Sequence, residues 1–550
     1  MLIPDNNGIY HPENEYEIIV LVKHAIDNKL QIRVRGAGQS VSGSIYTDDF
    51  NYNPKAYPSK SSNINIILNQ MREVSYSESD SSLVTVQAGC NLGFDPYDPS
   101  QTSTKENGLF DILEKKNLAI PNVSDAIHQT VGGYISTGSS AGSMHHSFFD
   151  AIVSIKLIDG NGTCMEIKRP YPDKKDDPFY AVGVSMGLLG IIVAVTFKCV
   201  PGFHVKGSQA ITTDKDAGID LFNLKNNSQR FQDFLTQAEF GRLIWWPFPT
   251  VKRLVVWQAH TMQPSEYDDQ TGPPDNFKPK PYKDAFYPSF LPKDAAPEVR
   301  EMIGTITELV ISSIFSVIGK WPQNLKALGN QIEIFKKQVK TSTLQRLVEK
   351  VWPDVFPHLL DIFTPLDGSN SPQTFWDNWI EGLAMDANEY KNNLLPAYHT
   401  ELWIPVTNAE NVMAILDYYY SNRILANADQ LNKNDANSCF VVEVLAAKNT
   451  SFWLSPSYEQ DSIRINLYSL KQTDDEIVKF FQQFWDLFFI NKIDFRLHWG
   501  YYLPEPSSPE GSAYIQKQYP KWSDFMEERK KMDPHNIFLN KYWKDQLCIK

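Results

Sequence analysis

Eleven residues near the start of the chain, Arg33-Val-Arg-Gly-Ala-Gly-Gln-Ser-Val-Ser-Gly43, have the types and spacing that hold an anion. Two glycines around one small residue let backbone N–H groups approach a ligand closely, and Ser40 and Ser42 add hydroxyl donors. A strand running into such a loop suits a pyrophosphate. The loop is not a Rossmann fingerprint, because no G-x-G-x-x-G opens a helix here. A Gly/Ser-rich turn that binds nothing has the same composition, so the loop takes its meaning from its companions. There are two. Gln129-Thr-Val-Gly-Gly-Tyr-Ile-Ser-Thr-Gly-Ser-Ser-Ala-Gly-Ser143 again combines small steps with hydroxyls, and Ser185-Met-Gly-Leu-Leu-Gly-Ile-Ile-Val-Ala-Val195 runs from a helix end into a strand.

The elements that must position these loops alternate between helix and strand over the first 200 residues. His11 to Lys23 opens a helix with acids in its first turns and apolar residues on one face. Leu30 to Val34, Ile64 to Leu68, Leu83 to Ala88 and Ile191 to Val200 read as strands. Gly108 to Asn117 has helical spacing, with Leu109, Ile112 and Leu113 on one side. Ile152 to Ile158 and Thr163 to Lys168 flank Asp159-Gly-Asn-Gly162, a hairpin signal. In the middle of the chain, Trp245 to Pro249 and Leu254 to Gln258 suggest strands whose aromatics either line a pocket or fill a core. Pro264 to Pro297 reads as an irregular loop, and Glu298 to Gln338 as helix in pieces. His399 to Pro405 reads as a central strand that presents Glu401 to a pocket or buries it against a neighbour.

Composition narrows the function. The 52 basic and 65 acidic residues give a net charge of −13, which disfavours nucleic acid as a general partner. Five scattered cysteines, none in C-x-x-C spacing, argue against a disulfide framework or zinc site and for a reducing, cytoplasmic setting. The N-terminus lacks the pattern of a signal peptide. Met302 to Gly319 is the most apolar later stretch, but Glu308 and several hydroxyls interrupt it. It reads as a buried helix rather than a stable membrane span. His145 and His146 are adjacent with no apparent third ligand, so no metal is expected.

The order of the glycine-rich segments resembles the flavin-binding domain of the vanillyl-alcohol oxidase (PCMH-type) family. Arg35-Gly-Ala-Gly-Gln-Ser40 is similar to its pyrophosphate loop and Val86-Gln-Ala-Gly89 to its strand-ending glycine. Thr130-Val-Gly-Gly133 through Gly142 is similar to the segment that wraps the flavin, and Gly187 to Ile192 to the turn that follows. His498-Trp-Gly-Tyr501, Met532 to Asn540 and the Glu443-Val-Leu-Ala-Ala-Lys strand look like motifs of the sugar-lactone and alditol oxidase branch. The resemblance implies an α+β fold: a two-subdomain FAD-binding domain (residues 1–205), a central α+β substrate domain with an antiparallel sheet (206–490), and a returning segment (491–550). It implies FAD contacts from Arg35, Gly36, Ala37, Gly38, Gln39, Ser40, Thr130, Gly133, Ser136, Gly138, Gly142, Ile191, Ile192 and Asn540. Read locally, Asn540 fits a helix C-cap.

Departures from the family pattern are informative. Where many relatives carry a histidine bonded covalently to the flavin, this chain has Gln39, so noncovalent FAD is expected. The usual His-Gly is Ser140-Ala141, the arginine two residues after Glu443 is Leu445, and the closing lysine is Tyr501. Loss of those cations argues against a polyol or aldonolactone substrate, because they orient hydroxyl-rich ligands and stabilise an alkoxide. The chemistry implied is hydride transfer from a CH–OH group of a small hydroxylated substrate, with a protein base taking the proton and oxygen or another acceptor taking the electrons. Glu443, His498 and Tyr501 are the candidates for proton handling. His498 fits equally as a hydrogen-bonded core residue beside Trp499. Two other readings stand beside this one: a flavin-binding scaffold whose catalysis has decayed, and an oxidase of a sterol or lipid alcohol.

Overall fold

A computed structural model describes residues 2–50, 61–95, 98, 100–123, 127–224, 228–247, 252–281, 364, 366–367, 372–383, 398–426, 441–469 and 474–549. The helical readings of 298–338 and the apolar stretch at 302–319 lie outside the described residues.

The first helix, α1 (Glu15–Asn28), starts where the Asn14 side chain accepts the Glu17 N–H and ends where Lys29 turns left-handed at φ 54°. It buries Ile18, Leu21, Val22 and Ala25. Three short strands, β1 (Ile9–Tyr10), β2 (Ile32–Arg35) and β3 (Ile64–Ile67), form a parallel sheet with β3 in the middle. The glycine loop leaves the end of β2, so its backbone is anchored on one side by a fully paired strand.

A second sheet is antiparallel. It orders β4 (Val74–Tyr76), β5 (Leu83–Gln87), β8 (Ile191–Lys198), β6 (Ile152–Ile158) and β7 (Cys164–Lys168). The expected hairpin joins β6 and β7, with Asp159 accepting the N–H groups of Asn161 and Thr163 and Gly162 at φ +76°. Helix α2 (Leu109–Glu114) buries Leu109, Phe110 and Leu113. Ile112, expected in that stripe, is only half-buried, because the helix is one and a half turns long and its inner face falls on Phe110. The second glycine-rich stretch is less open than its composition suggests. It forms helix α3 (Val131–Thr137), with the Thr130 hydroxyl accepting the Gly133 N–H and Gly138 closing the end at φ +76°.

The large sheet is antiparallel throughout its described pairings. Its order is β12 (Gln373–Asn378), β9 (His204–Thr213), β11 (Arg253–Thr261), β10 (Phe240–Trp246), β14 (Val442–Ala447), β15 (Ser462–Ser469), β13 (Tyr398–Pro405) and β16 (Arg496–Leu497). The strand Arg496–Leu497 still pairs within this sheet, past the boundary at 490 expected from sequence. Alternation along the strands gives the sheet two different faces. Leu243, Trp245, Val442, Val444, Ile465 and Leu402 lie on one, covered by helices α4 (Ala409–Ala426) and α5 (Asp474–Ile490). The Trp245 ring meets the edge of Tyr420 from α4, so this aromatic belongs to the core. The opposite face carries charged and polar side chains and looks toward the glycine-rich loops.

The chain end closes over the first sheet. The Ile32 N–H bonds to the Ile537 carbonyl at 2.6 Å. Helix α6 (Trp522–Met532) ends at Asp533, whose carboxylate accepts the Ile537 and Phe538 N–H groups at 3.0 Å each. Helix α7 (Lys541–Gln546) follows, and Asn540 is its N-cap, accepting the Trp543 N–H. The C-cap reading is therefore corrected: the residue opens a helix instead of ending one.

Candidate active site

Two connected hollows lie where the glycine-rich loops meet. The larger is a partly open cleft of about 1070 Å³, and Arg33, Arg35, Gly36, Thr130, Gly133, Ser136, Ile191 and Ile192 line it, with Trp499, Phe538 and Trp543 on one side. The smaller, about 400 Å³, is lined by Gly36, Ala37, Gly38, Gln39, Ser40, Thr130, Ser139, His498 and Tyr501. Three expected cofactor residues do not line either hollow. Gly138 packs against Pro456 and Val184, and Gly142 against the Gly241 carbonyl and Leu445. Asn540 acts from behind, donating to the carbonyls of Gly43 and Tyr46 at 2.7 Å each and so holding the backbone after the glycine loop.

The cleft has the chemistry of a dinucleotide site. Arg33 is buried and donates to three carbonyls, those of Phe538, Ser44 and Met186, which tie the chain end, the first loop and the third loop together. Burial lowers its guanidinium to about 10, so it stays charged at neutral pH. Arg35 and Arg72 add two more cations to the lining. The Nε atoms of Arg35 and Arg72 and the Oε1 of Gln129 are out of contact with solvent and have no hydrogen-bond partner among the described residues. Buried polar atoms left in this state mark a place where a polar ligand completes the bonding. A Cβ on Gly36 would lie 2.3 Å from the Thr130 hydroxyl, so only glycine keeps that wall open. These residues fit FAD, whose two phosphates match the cations and the loop N–H groups.

The polar face of the large sheet supplies the rest. Register places Arg242, Leu445, Arg464 and Trp403 in one row across four neighbouring strands, and Ile244, Glu443, Asn466 and Glu401 in the next. Glu443 Oε1 accepts from Arg242 Nε at 2.6 Å and Nη2 at 2.5 Å, and its Oε2 accepts from Asn466 and Tyr468 at 2.9 Å each. Burial alone would raise its carboxyl, but Arg242 and the two neutral donors outweigh that and hold it below the usual range. Glu401 is built the same way. Its Oε2 accepts from Arg464 and its Oε1 from the Trp403 indole at 2.6 Å, and against the effect of burial these hold it low as well.

Leu445 had suggested that the cations of this face were lost. The structure corrects that expectation: Arg242 and Arg464 flank Leu445 from the strands on either side. Sequence reasoning missed both because strand register brings them together, and no local motif marks them. It also missed Asn466, Tyr468 and His399, which share the face; only the alternation of polar residues in Arg464-Ile-Asn-Leu-Tyr468 hinted at it.

A seam joins sheet and cleft through the end of the second glycine segment. Arg464 Nη1 donates to the Ser140 carbonyl at 2.5 Å, the Gly241 N–H donates to Gly142 at 2.8 Å, and His498 Nε2 pairs with the Ser139 hydroxyl at 2.9 Å. His498 Nδ1 accepts the Gly500 N–H, which places the ring proton on Nε2 and leaves neither nitrogen open. The Tyr501 ring stacks on His498 at 4.2 Å. His145 and His146 sit apart, bonded to the Thr236 carbonyl and to Glu239.

Burial lowers both His498 and His128 to about 4. Their folded values lie below the unfolded 6.5, so the unfolded chain binds more protons between those limits. Stability from these groups is present above pH 6.5 and lost as pH falls toward 4, on the order of 3 kcal/mol each at most. The urea midpoint is expected to fall steadily between those limits. A flat midpoint across that window would show that the rings are hydrated.

The fold matches cholesterol oxidase from Brevibacterium sterolicum with a TM-score of 0.65 over 98% of this chain and 94% of that one, at 13% identity. That likeness is one of fold. Residues 333–546 match the family model described as D-arabinono-1,4-lactone oxidase. That stretch is less than half of the chain, and over it the chain is similar to that family. A putative D-arabinono-1,4-lactone oxidase of Neurospora crassa is 32% identical over 254 residues, 46% of this chain and 38% of that protein. L-gulonolactone oxidase of Bos taurus is 27% identical over 256 residues, 46% of this chain and 49% of that protein. The chain thus covers less than half the length of these curated relatives.

Proposed function

We propose that this chain binds FAD without a covalent bond and oxidises a CH–OH group of an aldonolactone-like substrate, with oxygen as the electron acceptor. The observation that carries the reading is the polar sheet face, where Arg242 and Arg464 pair with Glu443 and Glu401, and which the Arg464–Ser140 bond ties to the wall of the cleft beside Ser139 and His498. When bound, FAD supplies the hydride acceptor. The chain does the remainder. Backbone N–H groups of the first loop, with Arg35 and Arg72, hold the pyrophosphate, and Thr130, Gly133 and Ser136 border its path. The two ion pairs present fixed donors and acceptors to a hydroxyl-rich ring, and their burial keeps them aligned before substrate arrives.

A sterol or lipid alcohol suits this face poorly, because an apolar ring over two buried ion pairs leaves their residual polarity unmatched. The scaffold reading rested on missing cations, which Arg242 and Arg464 replace. Gln39 is not a nucleophile that bonds flavin, and Ser140-Ala141 offers none either. Separate free thiols at Cys90, Cys164, Cys199 and Cys548 favour a reducing compartment such as the cytoplasm, which cell fractionation tests. No helix among the described residues is long and apolar enough to cross a membrane.

Acid precipitation of the purified yellow protein is expected to release the flavin into the supernatant; colour retained in the pellet would refute the noncovalent assignment. Under anaerobic conditions, L-gulono-1,4-lactone or D-arabinono-1,4-lactone is expected to bleach the flavin, and air to restore it. Bleaching by cholesterol but by no lactone or polyol would overturn the substrate class.

A further inference from the structure

We propose that His399 is the residue that accepts the hydroxyl proton of the substrate, with the Tyr501 ring fixing its orientation. The proposal rests on the reading above that a CH–OH group is oxidised at this site. It follows from the bonding of the carboxylates and histidines at the polar face. Both oxygens of Glu443 are occupied, by Arg242 on one side and by Asn466 and Tyr468 on the other. Those of Glu401 hold Trp403 and Arg464. His498 spends one nitrogen on Ser139 and the other on the Gly500 N–H. His399 differs. It lies on the same face of β13 as Glu401, and neither ring nitrogen has a hydrogen bond among the described residues.

Its ring is held by aromatic contacts only. The Tyr501 centroid lies 3.8 Å away at 60°, and Tyr468, its register partner on β15, lies at 5.6 Å. Tyr501 also lines the smaller hollow with Gln39 and Ser139. His399 is not itself part of that lining; Tyr501 is the side chain that the hollow shares with this half-buried imidazole, whose nitrogens carry no hydrogen bond among the described residues. The groups facing it are Glu401 on its own strand, Glu443 and Tyr468 on β14 and β15, and Tyr501 and His498 on the closing turn. Burial lowers the imidazole to about 4 against the pull of the two carboxylates, so it is neutral and proton-accepting at neutral pH. Those same carboxylates stabilise the imidazolium once it forms.

In the step proposed, the carbinol C–H bond breaks and its electron pair leaves as hydride for the bound flavin. The O–H bond breaks, its proton passes to a ring nitrogen of His399, and its electrons complete the product C=O. The proton later returns to water.

The test compares wild type with His399→Asn and His399→Gln, each loaded with FAD. Flavin fluorescence is expected to give the same FAD affinity for all three. Anaerobic bleaching by L-gulono-1,4-lactone is expected to slow by about 10²–10⁴-fold in both variants, and added imidazole to restore part of the rate in the Asn variant. A second readout needs no turnover. In dithionite-reduced protein labelled with 15N-histidine, the lactone cannot react, and its binding is expected to shift the His399 ring signals, identified by their absence in the variants. Variants that bleach at the wild-type rate, or ring signals unmoved by the lactone, would overturn the proposal. A wild type that no lactone or polyol bleaches would instead remove the oxidoreductase reading, and the role of His399 with it.

Discussion

Arg242→Met is expected to cost about 3–5 kcal/mol of stability and to abolish measurable reduction of the flavin by substrate. The guanidinium is the charged partner of Glu443, and both side chains are about nine-tenths buried. Removing one member leaves the other as an uncompensated buried charge, which is where the energy of a buried pair becomes visible. Asn466 and Tyr468 still donate to Oε2, so the carboxylate keeps half its bonds and the loss stays at the lower end of that range. Combining Arg242→Met with Glu443→Gln removes the charge and is expected to recover most of the stability while leaving the site inactive. Urea unfolding of wild type and the two variants, with anaerobic reduction by lactone, measures both effects. A single variant as stable as wild type would mean that water already solvates Glu443 and that the ion pair does not organise the face.

Gly36→Val carries the second large effect, on cofactor affinity. The new Cβ would sit 2.3 Å from the Thr130 hydroxyl, and that hydroxyl caps α3 by accepting the Gly133 N–H. The branched side chain must either displace the cap or turn into the space that both hollows share. Each outcome removes the close backbone approach on which the pyrophosphate site depends. FAD affinity is expected to fall at least about 100-fold, equivalent to about 2.7 kcal/mol. The apo protein is expected to stay folded, because the loop follows β2 and is not part of its pairing. Gly218→Ala is the control, since a Cβ there meets nothing within 4 Å. Titration followed by flavin fluorescence separates the two, and equal affinities would disprove the pyrophosphate assignment of this loop.

The amino-acid order alone determined the cofactor side. A strand entering Gly36-Ala-Gly38, the small-residue run after Gln129, the turn before Ile191 and the Asp159-Gly-Asn-Gly162 hairpin each depend on backbone conformations that short stretches dictate by themselves. Their order along the chain was enough to indicate FAD. Local sequence also gave α1 its start, since Asn14 and the acids that follow it act within one turn.

Only the tertiary structure decided the substrate side. Arg242 and Glu443 are 201 residues apart, and Arg464 and Glu401 are 63 apart. Their meeting depends on which strands pair and in which register, and a shift of one residue would send each side chain to the helix-covered face. The absence of arginine at Leu445 therefore misled, because the cations stand in the adjacent strands. Asn540 and Gly142 show the same limit on the cofactor side. Their places in the motif were legible, but packing against Tyr46 and Gly241 turned them into supports. Backbone chemistry is local and can be read from neighbours in sequence, whereas side-chain constellations across a sheet are set by long-range pairing and burial.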